Sequence, residues 1–533
     1  MNQKNYENFS AKIQKSPILL DFLGHKVFNA GIATCILQYQ KEIPTSESNF
    51  VTDYVLDFDK AKSAIPNKLE LSIHNGFAKV GVNQENLKSD RWEISPYSHI
   101  FSEIDSKGQK LELSNYGKFM KGIDTGLNEI FEGDFSRKFP KEFLCPRVSI
   151  SSIYGFGHKP SETQIIYYSR DTKWEDIPKV LQNYLKSHRK LLEARKVFKS
   201  GGYEWFHLHR SRVGLFEPKI FFPRRASANK FTVDEDGALE FKSDVAGFVK
   251  SENTSIDTLY YICALLNSKP LEFRYRALGG IGKLTGKGMF EYFENQVGDL
   301  PIPVFEQPEN NPDFQELAEL GKESHQIWRD RYSIITAYQT KSSAIPYTEV
   351  AATHYHSITG DYGADVECTS PNPNREGHLL SLKIEPTIDG YRFWGEITED
   401  EDWKEGDREW VELVTVKIRN NFLCRYLLAR LIYLIEFDQD FRRKQKLTRD
   451  ISNLVNSIFE ALRVYQYDRD RISNLRVLEV IEQRVQQEAG RSDLENILLR
   501  QAEIQNQIDQ IAYRLYGVVE YQEAIKQALK VVL

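Results

Sequence analysis

The sequence predicts an α+β fold: a mixed body of short strands and helices, followed by a mostly helical C-terminal region. Three observations predict it. Residues 412–533 repeat apolar side chains at helical three- and four-residue spacing. Residues 112–304 alternate helical and strand-like apolar runs, punctuated by prolines and glycines. Residues 32–39 form a short run that is apolar on both faces, the pattern of a strand covered on both sides.

Taken in order, residues 1–42 look like the closing piece of a domain, because the run 32–39 has no strand–helix series before it. Residues 43–110 are connecting strands and loops. Residues 111–305 form one α+β domain. It holds an amphipathic helix over 177–199, a strand over 219–222 ended by the Pro223-Arg224-Arg225 turn, and a helix over 256–267. Pro301-Ile302-Pro303 closes that domain, since proline can continue neither a helix nor an inner strand. Residues 306–411 are mixed helix and loop, with a helix over 310–345. Residues 412–533 are the helical C-terminal region. Its last long helix has Leu494, Ile497, Ile504, Ile508, Ile511 and Leu515 on one stripe, with Gly517 placed as its C-cap.

Composition narrows the function. The chain has 533 residues, with 70 Lys and Arg against 76 Asp and Glu, for a net charge of −6. A protein that coats nucleic acid all over is excluded; one with a local basic face is not. The five cysteines are scattered and contain no CxxC pair, which argues against a disulfide scaffold or zinc ribbon and fits a reducing, cytoplasmic setting. No apolar run reaches the roughly 20 residues of a membrane span.

The charge is uneven. Residues 186–230 hold twelve Lys and Arg against three acids, interleaved with Tyr203, Trp205, Phe206, Phe216, Phe221, Phe222 and Phe231. Cations that neutralise phosphates, beside aromatics that stack on bases, form a nucleic-acid signature. Two arginines at a strand end, Arg224 and Arg225, suit guanine edges. The basic glycine-rich stretch 279–288 fails the spacing of nucleotide-binding loops, because Gly286-Lys287 is followed by Gly288. It reads instead as a phosphate-approaching loop carrying Lys283 and Lys287, with Arg274 and Arg276 just before it. The histidine pairs His207/His209 and His354/His356 lack a third ligand, so no metal is expected. No nucleophile motif is present.

Several stretches together resemble the N6-adenine DNA methyltransferases of restriction–modification systems, including the single-chain type IIG enzymes. Val27 to Leu37 (Val-Phe-Asn-Ala-Gly-Ile-Ala-Thr-Cys-Ile-Leu) is similar to the motif that follows the catalytic one in their core. Lys121 to Phe131 (Lys-Gly-Ile-Asp-Thr-Gly-Leu-Asn-Glu-Ile-Phe) is similar to the opening of their target-recognition domain. Phe216 to Pro223, Leu265 to Lys269 and Leu300 to Pro303 match later signposts of that domain in order, and Ile508 to Gly517 resembles a closing helix.

The resemblance implies that residues 1–42 are a remnant of the methyltransferase core and that 111–305 is the DNA-specificity domain. It implies a stacking role for Phe28 against an extruded adenine, the alternative being that Phe28 packs a strand pair. It also implies S-adenosylmethionine as cofactor of the whole enzyme. Yet no Pro-Pro occurs anywhere, Ser95-Pro96-Tyr97 has one proline too few for the catalytic motif, and the glycine-rich donor motif is missing. The expectation is therefore a chain that has no catalytic or cofactor residues and that binds no cofactor by itself. It would bind double-stranded DNA through Lys219, Arg224, Arg225, Lys230, Arg274, Arg276, Lys283 and Lys287. A methyltransferase core would be supplied by a separate chain or be missing. Two alternatives are a methyltransferase completed by such a partner and a helical assembly subunit.

Overall fold

The computed structural model describes residues 95–161, 163–199, 204–209, 217–226, 228–241, 244–278, 290–343, 378–387, 389–398, 408–418, 421–438 and 474–530, with short stretches at 17–21, 35–39, 49–55, 77–83, 348–349, 366–369, 371 and 465–466. The architecture is α+β, as the periodicities predict. Two compact units result, one of residues 1–325 with 504–533 and one of residues 326–503. That division differs from the sequence expectation. Residues 504–533 join the body that holds 111–305 instead of standing with the rest of the C-terminal region.

The first unit is built on two four-stranded sheets. In one, Lys219–Pro223 lies between Thr232–Asp234 and Val245–Lys250, and Gly117–Lys121 completes the order. Lys219–Pro223 is buried along its whole length, covered on both faces as well as paired on both edges, which is why its sequence is a continuous apolar run after the lysine. In the other sheet, Leu144–Val148 pairs with Gln164–Ile166 on one side and, in parallel, with Glu240–Phe241 on the other. One core joins both sheets to the helical stretch 179–199: Ile165, Tyr168, Phe221 and Val245 pack with Leu181, Leu185 and Leu192.

Helix Ile256–Leu266 buries nine of its eleven residues, so it is apolar all round. The Ser255 hydroxyl accepts from the Thr258 N–H at 3.1 Å and satisfies one orphan donor of its first turn. The next helix, Lys269–Leu278, is capped from far along the chain. Asp509, 1% exposed, accepts from both the backbone N–H and the ammonium of Lys269, at 2.9 and 2.8 Å. Asp509 lies on helix Leu494–Leu515, which ends as its glycine predicts. Gly517 takes φ +67°, with Val518 N–H donating to Tyr513 O and Gly517 N–H to Arg514 O.

Among the described residues near the start, Cys35–Tyr39 pairs antiparallel with Pro17–Asp21. Ser95-Pro96-Tyr97 opens helix Ser98–Ser106, where the Ser95 hydroxyl accepts from the Tyr97 N–H at 3.1 Å. Pro301–Ile302 is a short strand against Gln109–Lys110.

The second unit contains a four-stranded antiparallel sheet in the order Val366–Thr369, Arg408–Ile418, Gly390–Thr398, His378–Thr387. Residues 412–418, expected as helix, are thus strand. Val411, Val414, Thr415, Val416 and Ile418 are β-branched, and their packing on the sheet outweighs the helical spacing that follows. Helices begin at Asn421–Ile432. The Arg425 guanidinium ties that helix to Asn474–Ala489 through Glu482 at 2.7 Å.

Candidate nucleic-acid interface

The expected single helix over 177–199 is three segments: Lys179–Ser187, Arg189–Ala194 and Lys196–Lys199. Each interruption has its own cause. His188 and Ser187 both engage the Tyr184 carbonyl through their side chains, and the turn tightens there. Arg195 leaves the helical region because its guanidinium points inward. It donates to the carbonyls of Leu192, Thr125, Trp205 and His207 at 2.7–3.1 Å.

Burying Leu181, Leu185 and Leu192 turns the opposite face outward. Lys179, Lys186, Arg189, Lys190, Lys196 and Lys199 are all exposed. Two half-buried tryptophans, Trp174 and Trp205, meet at the base of this ridge with ring centroids 5.0 Å apart. The Lys186 ammonium lies 5.6 Å from the Trp174 ring and the Arg189 guanidinium 5.0 Å from that of Trp205. Such contacts restrict two long side chains without neutralising them. Arg189 also pairs with Glu193 at 2.7 Å on the exposed surface, a contact of small energy.

Arg195 fastens this ridge to the stretch 121–131. There the Asp124 carboxylate accepts from Gly126 N–H at 3.0 Å and pairs with the His209 ring at 2.8 Å. Gly126, at φ +70°, makes the left-handed turn that opens helix Asn128–Phe131. His207 turns to the Thr172 carbonyl instead, so the two histidines serve different partners. Among the described residues, no group of three or more His, Cys, Asp or Glu could hold a metal ion.

The residues picked from sequence fall into three sets. Phe28, Lys283 and Lys287 lie outside the described residues. Lys219, Arg274 and Arg276 correct the expectation, because they face inward. Lys219 is fully buried, its ammonium 3.1 Å from Asp234, so it cannot reach a phosphate. Arg274 is a fork on Asp105, at 2.8 and 2.7 Å, with its guanidinium 5.1 Å from the Phe101 ring. Arg276 donates to Glu272 at 2.6 Å and to the Leu529 carbonyl at 2.9 Å, which binds the last helix to this unit. Residues of the third set are at the surface or near it. Lys230 is half-buried, its ammonium 5.6 Å from the Tyr154 ring.

Arg225 is 57% exposed and pairs with Glu291 at 3.1 Å, and Arg224 pairs with Glu294. Strand Arg225–Ala226 lies antiparallel to Phe290–Glu291, which sets Glu291 opposite Arg225, and Glu294 opens the short helix that follows.

Sequence reading missed the buried Glu240. Neither of its carboxyl oxygens has a hydrogen-bond partner. Burial pushes its pKa up to about 8, with Asp234 adding to the rise and Lys219 opposing it. The Cys145 thiol is pushed up to about 12, first by burial and then by Glu240, so it is no nucleophile. The signal in the sequence was a lone acid between Leu239 and Phe241.

Among the described residues the strand pairs are antiparallel except Glu240–Phe241 with Leu144–Val148, and that last strand runs into the serine-rich turn Ile150–Ser152. No described helix is long and apolar enough to cross a membrane.

No family model and no curated protein matches this chain. Solved structures do match, among them one titled as the characterization and crystal structure of the type IIG restriction endonuclease BpuSI. It is 12% identical, with a TM-score of 0.32, over 60% of this chain and 40% of that one.

Proposed function

We propose that this chain binds double-stranded DNA and serves as the sequence-recognition part of a restriction–modification adenine-N6 methyltransferase. The catalytic core and the S-adenosylmethionine site would be supplied by another chain. The observation that carries the reading is the segregation of cations in the first unit. Six exposed lysines and arginines line one face of residues 179–199, while the other face is core. Such a ridge suits the regular charge of a duplex backbone, and the whole chain's net charge of −6 limits indiscriminate binding.

Anisotropy of labelled duplexes across a salt series tests it. Affinity should fall steeply with salt. Replacing Lys186, Arg189 and Lys190 with alanine should lower the slope of log affinity against log salt by about three, at roughly 0.9 per phosphate contact. Binding that is absent or insensitive to salt would exclude the reading.

A further inference from the structure

We infer that Glu291 and Glu294 hold Arg224 and Arg225 away from non-cognate duplex, so that the two arginines engage DNA only where base edges compete successfully for them. The inference rests on the DNA-binding reading above and adds a specificity mechanism to it.

Three features carry it. First, two consecutive arginines are each paired with a carboxylate of one four-residue segment. Second, that segment is fixed. Phe290–Glu291 is in register with Arg225–Ala226, and the Tyr292 N–H donates to the Arg224 carbonyl at 2.9 Å. The Tyr292 ring stacks on Tyr275 at 4.3 Å, and its hydroxyl donates to Asn229 at 2.9 Å. Third, the exposure is asymmetric. The Arg225 side chain is 57% exposed against 15% for Glu291, so the cation can swing outward while the acid stays. Phe293, itself 37% exposed, is 5.8 Å from the Arg224 guanidinium and keeps a flat apolar ring at the same edge.

The energetics favour discrimination. A partly exposed ion pair contributes little, so a guanidinium that forms a two-pronged bond to a guanine edge outweighs its loss. A lone phosphate contact does not, because the two carboxylates left behind repel the same phosphate. The acids therefore weaken binding to random sequence more than binding to a fitting site.

The test is anisotropy with a labelled random-sequence duplex, on the full chain. Four proteins are compared: wild type, E291Q/E294Q, R224A/R225A and the combination of all four changes. The glutamine pair should tighten random-duplex binding roughly tenfold at low salt and steepen the salt slope by one to two. In the R224A/R225A background that gain should vanish. An equal gain in both backgrounds would mean a general charge effect and would overturn the inference; so would no gain at all in a protein that melts like wild type. If E291Q/E294Q melts lower, E291Q alone against R225A repeats the comparison at the more exposed pair. If wild type shows no salt-dependent binding, the DNA-binding reading has failed and takes this inference with it. Salt-dependent wild-type binding without the gain rejects the inference alone.

Discussion

Between residues 179 and 199 every lysine and arginine except Arg195 faces outward. Between 219 and 276, Lys219, Arg274 and Arg276 face inward, against Asp234, Asp105 and Glu272. The first stretch sets seven Lys and Arg against one acid, the second nine against eight. They differ also in what surrounds the charge. An amphipathic helical stretch has a wet face on which a cation costs nothing to keep. Lys219 sits on a strand whose two faces are both covered, and Arg274 and Arg276 on the covered face of helix Lys269–Leu278, so each is paired with an acid. A charged window therefore identifies a binding face only after its elements have been placed.

The comparison breaks most visibly at Lys219. Replacing it with alanine leaves Asp234 buried without its counter-ion, a loss of about 3–5 kcal/mol for a broken buried pair. The urea midpoint should fall well below that of wild type, whereas Lys190→Ala should stay within about 0.5 kcal/mol of it. Equal stability of the two variants would mean that Lys219 is not a structural cation.

Glu240 sharpens the inward side of the comparison. Its folded pKa is about 8, against 4.5 for an unperturbed carboxyl. Above about 4.5 the unfolded chain releases the proton while the folded chain keeps it. The stability this group contributes is therefore full at low pH and is lost as pH rises toward 8, by several kcal/mol at the order-of-magnitude level. Glu240→Gln should flatten stability against pH over that range and leave the protein more stable than wild type at pH 8. Parallel pH profiles for the two proteins would refute the assignment.

Much of the fold is legible in the sequence where one periodicity dominates. The stripe Leu494, Ile497, Ile504, Ile508 and Ile511 suffices for helix Leu494–Leu515, and Gly517 for its end. The run Lys-Ile-Phe-Phe-Pro suffices for the strand at 219–223, though not for the lysine's fate. What sequence leaves out is long-range pairing. Asp509 capping Lys269 spans 240 positions, and Arg274 finding Asp105 spans 169. Neither partner differs locally from a surface residue. The break at Arg195 is hidden for the same reason, since it follows from the distant Thr125, Trp205 and His207 carbonyls that the guanidinium collects, whereas the break at His188 is local to the Tyr184 carbonyl. For the candidate interface, the first half of the basic window supplies the exposed ridge; in its second half Lys219 is buried in the core and Arg224 is tied to Glu294.

The smallest effect separates the roles of two exposed cations on the same unit. Lys190 has no base-reading geometry, so Lys190→Ala should weaken binding to all duplexes alike and lower the salt slope by about one. Arg225, at a strand edge beside Arg224, should differ. Arg225→Ala should leave stability within about 0.5 kcal/mol, because an exposed pair such as Arg225–Glu291 adds little. Its effect on binding should depend on sequence, relaxing the preference at one base by about 1–3 kcal/mol while barely moving random-duplex affinity. Selection from a randomised duplex pool, run on both variants, reads the difference directly. Loss of preference in Lys190→Ala, or uniform weakening in Arg225→Ala, would exchange the two roles and place recognition on the helical ridge, away from the strand edge.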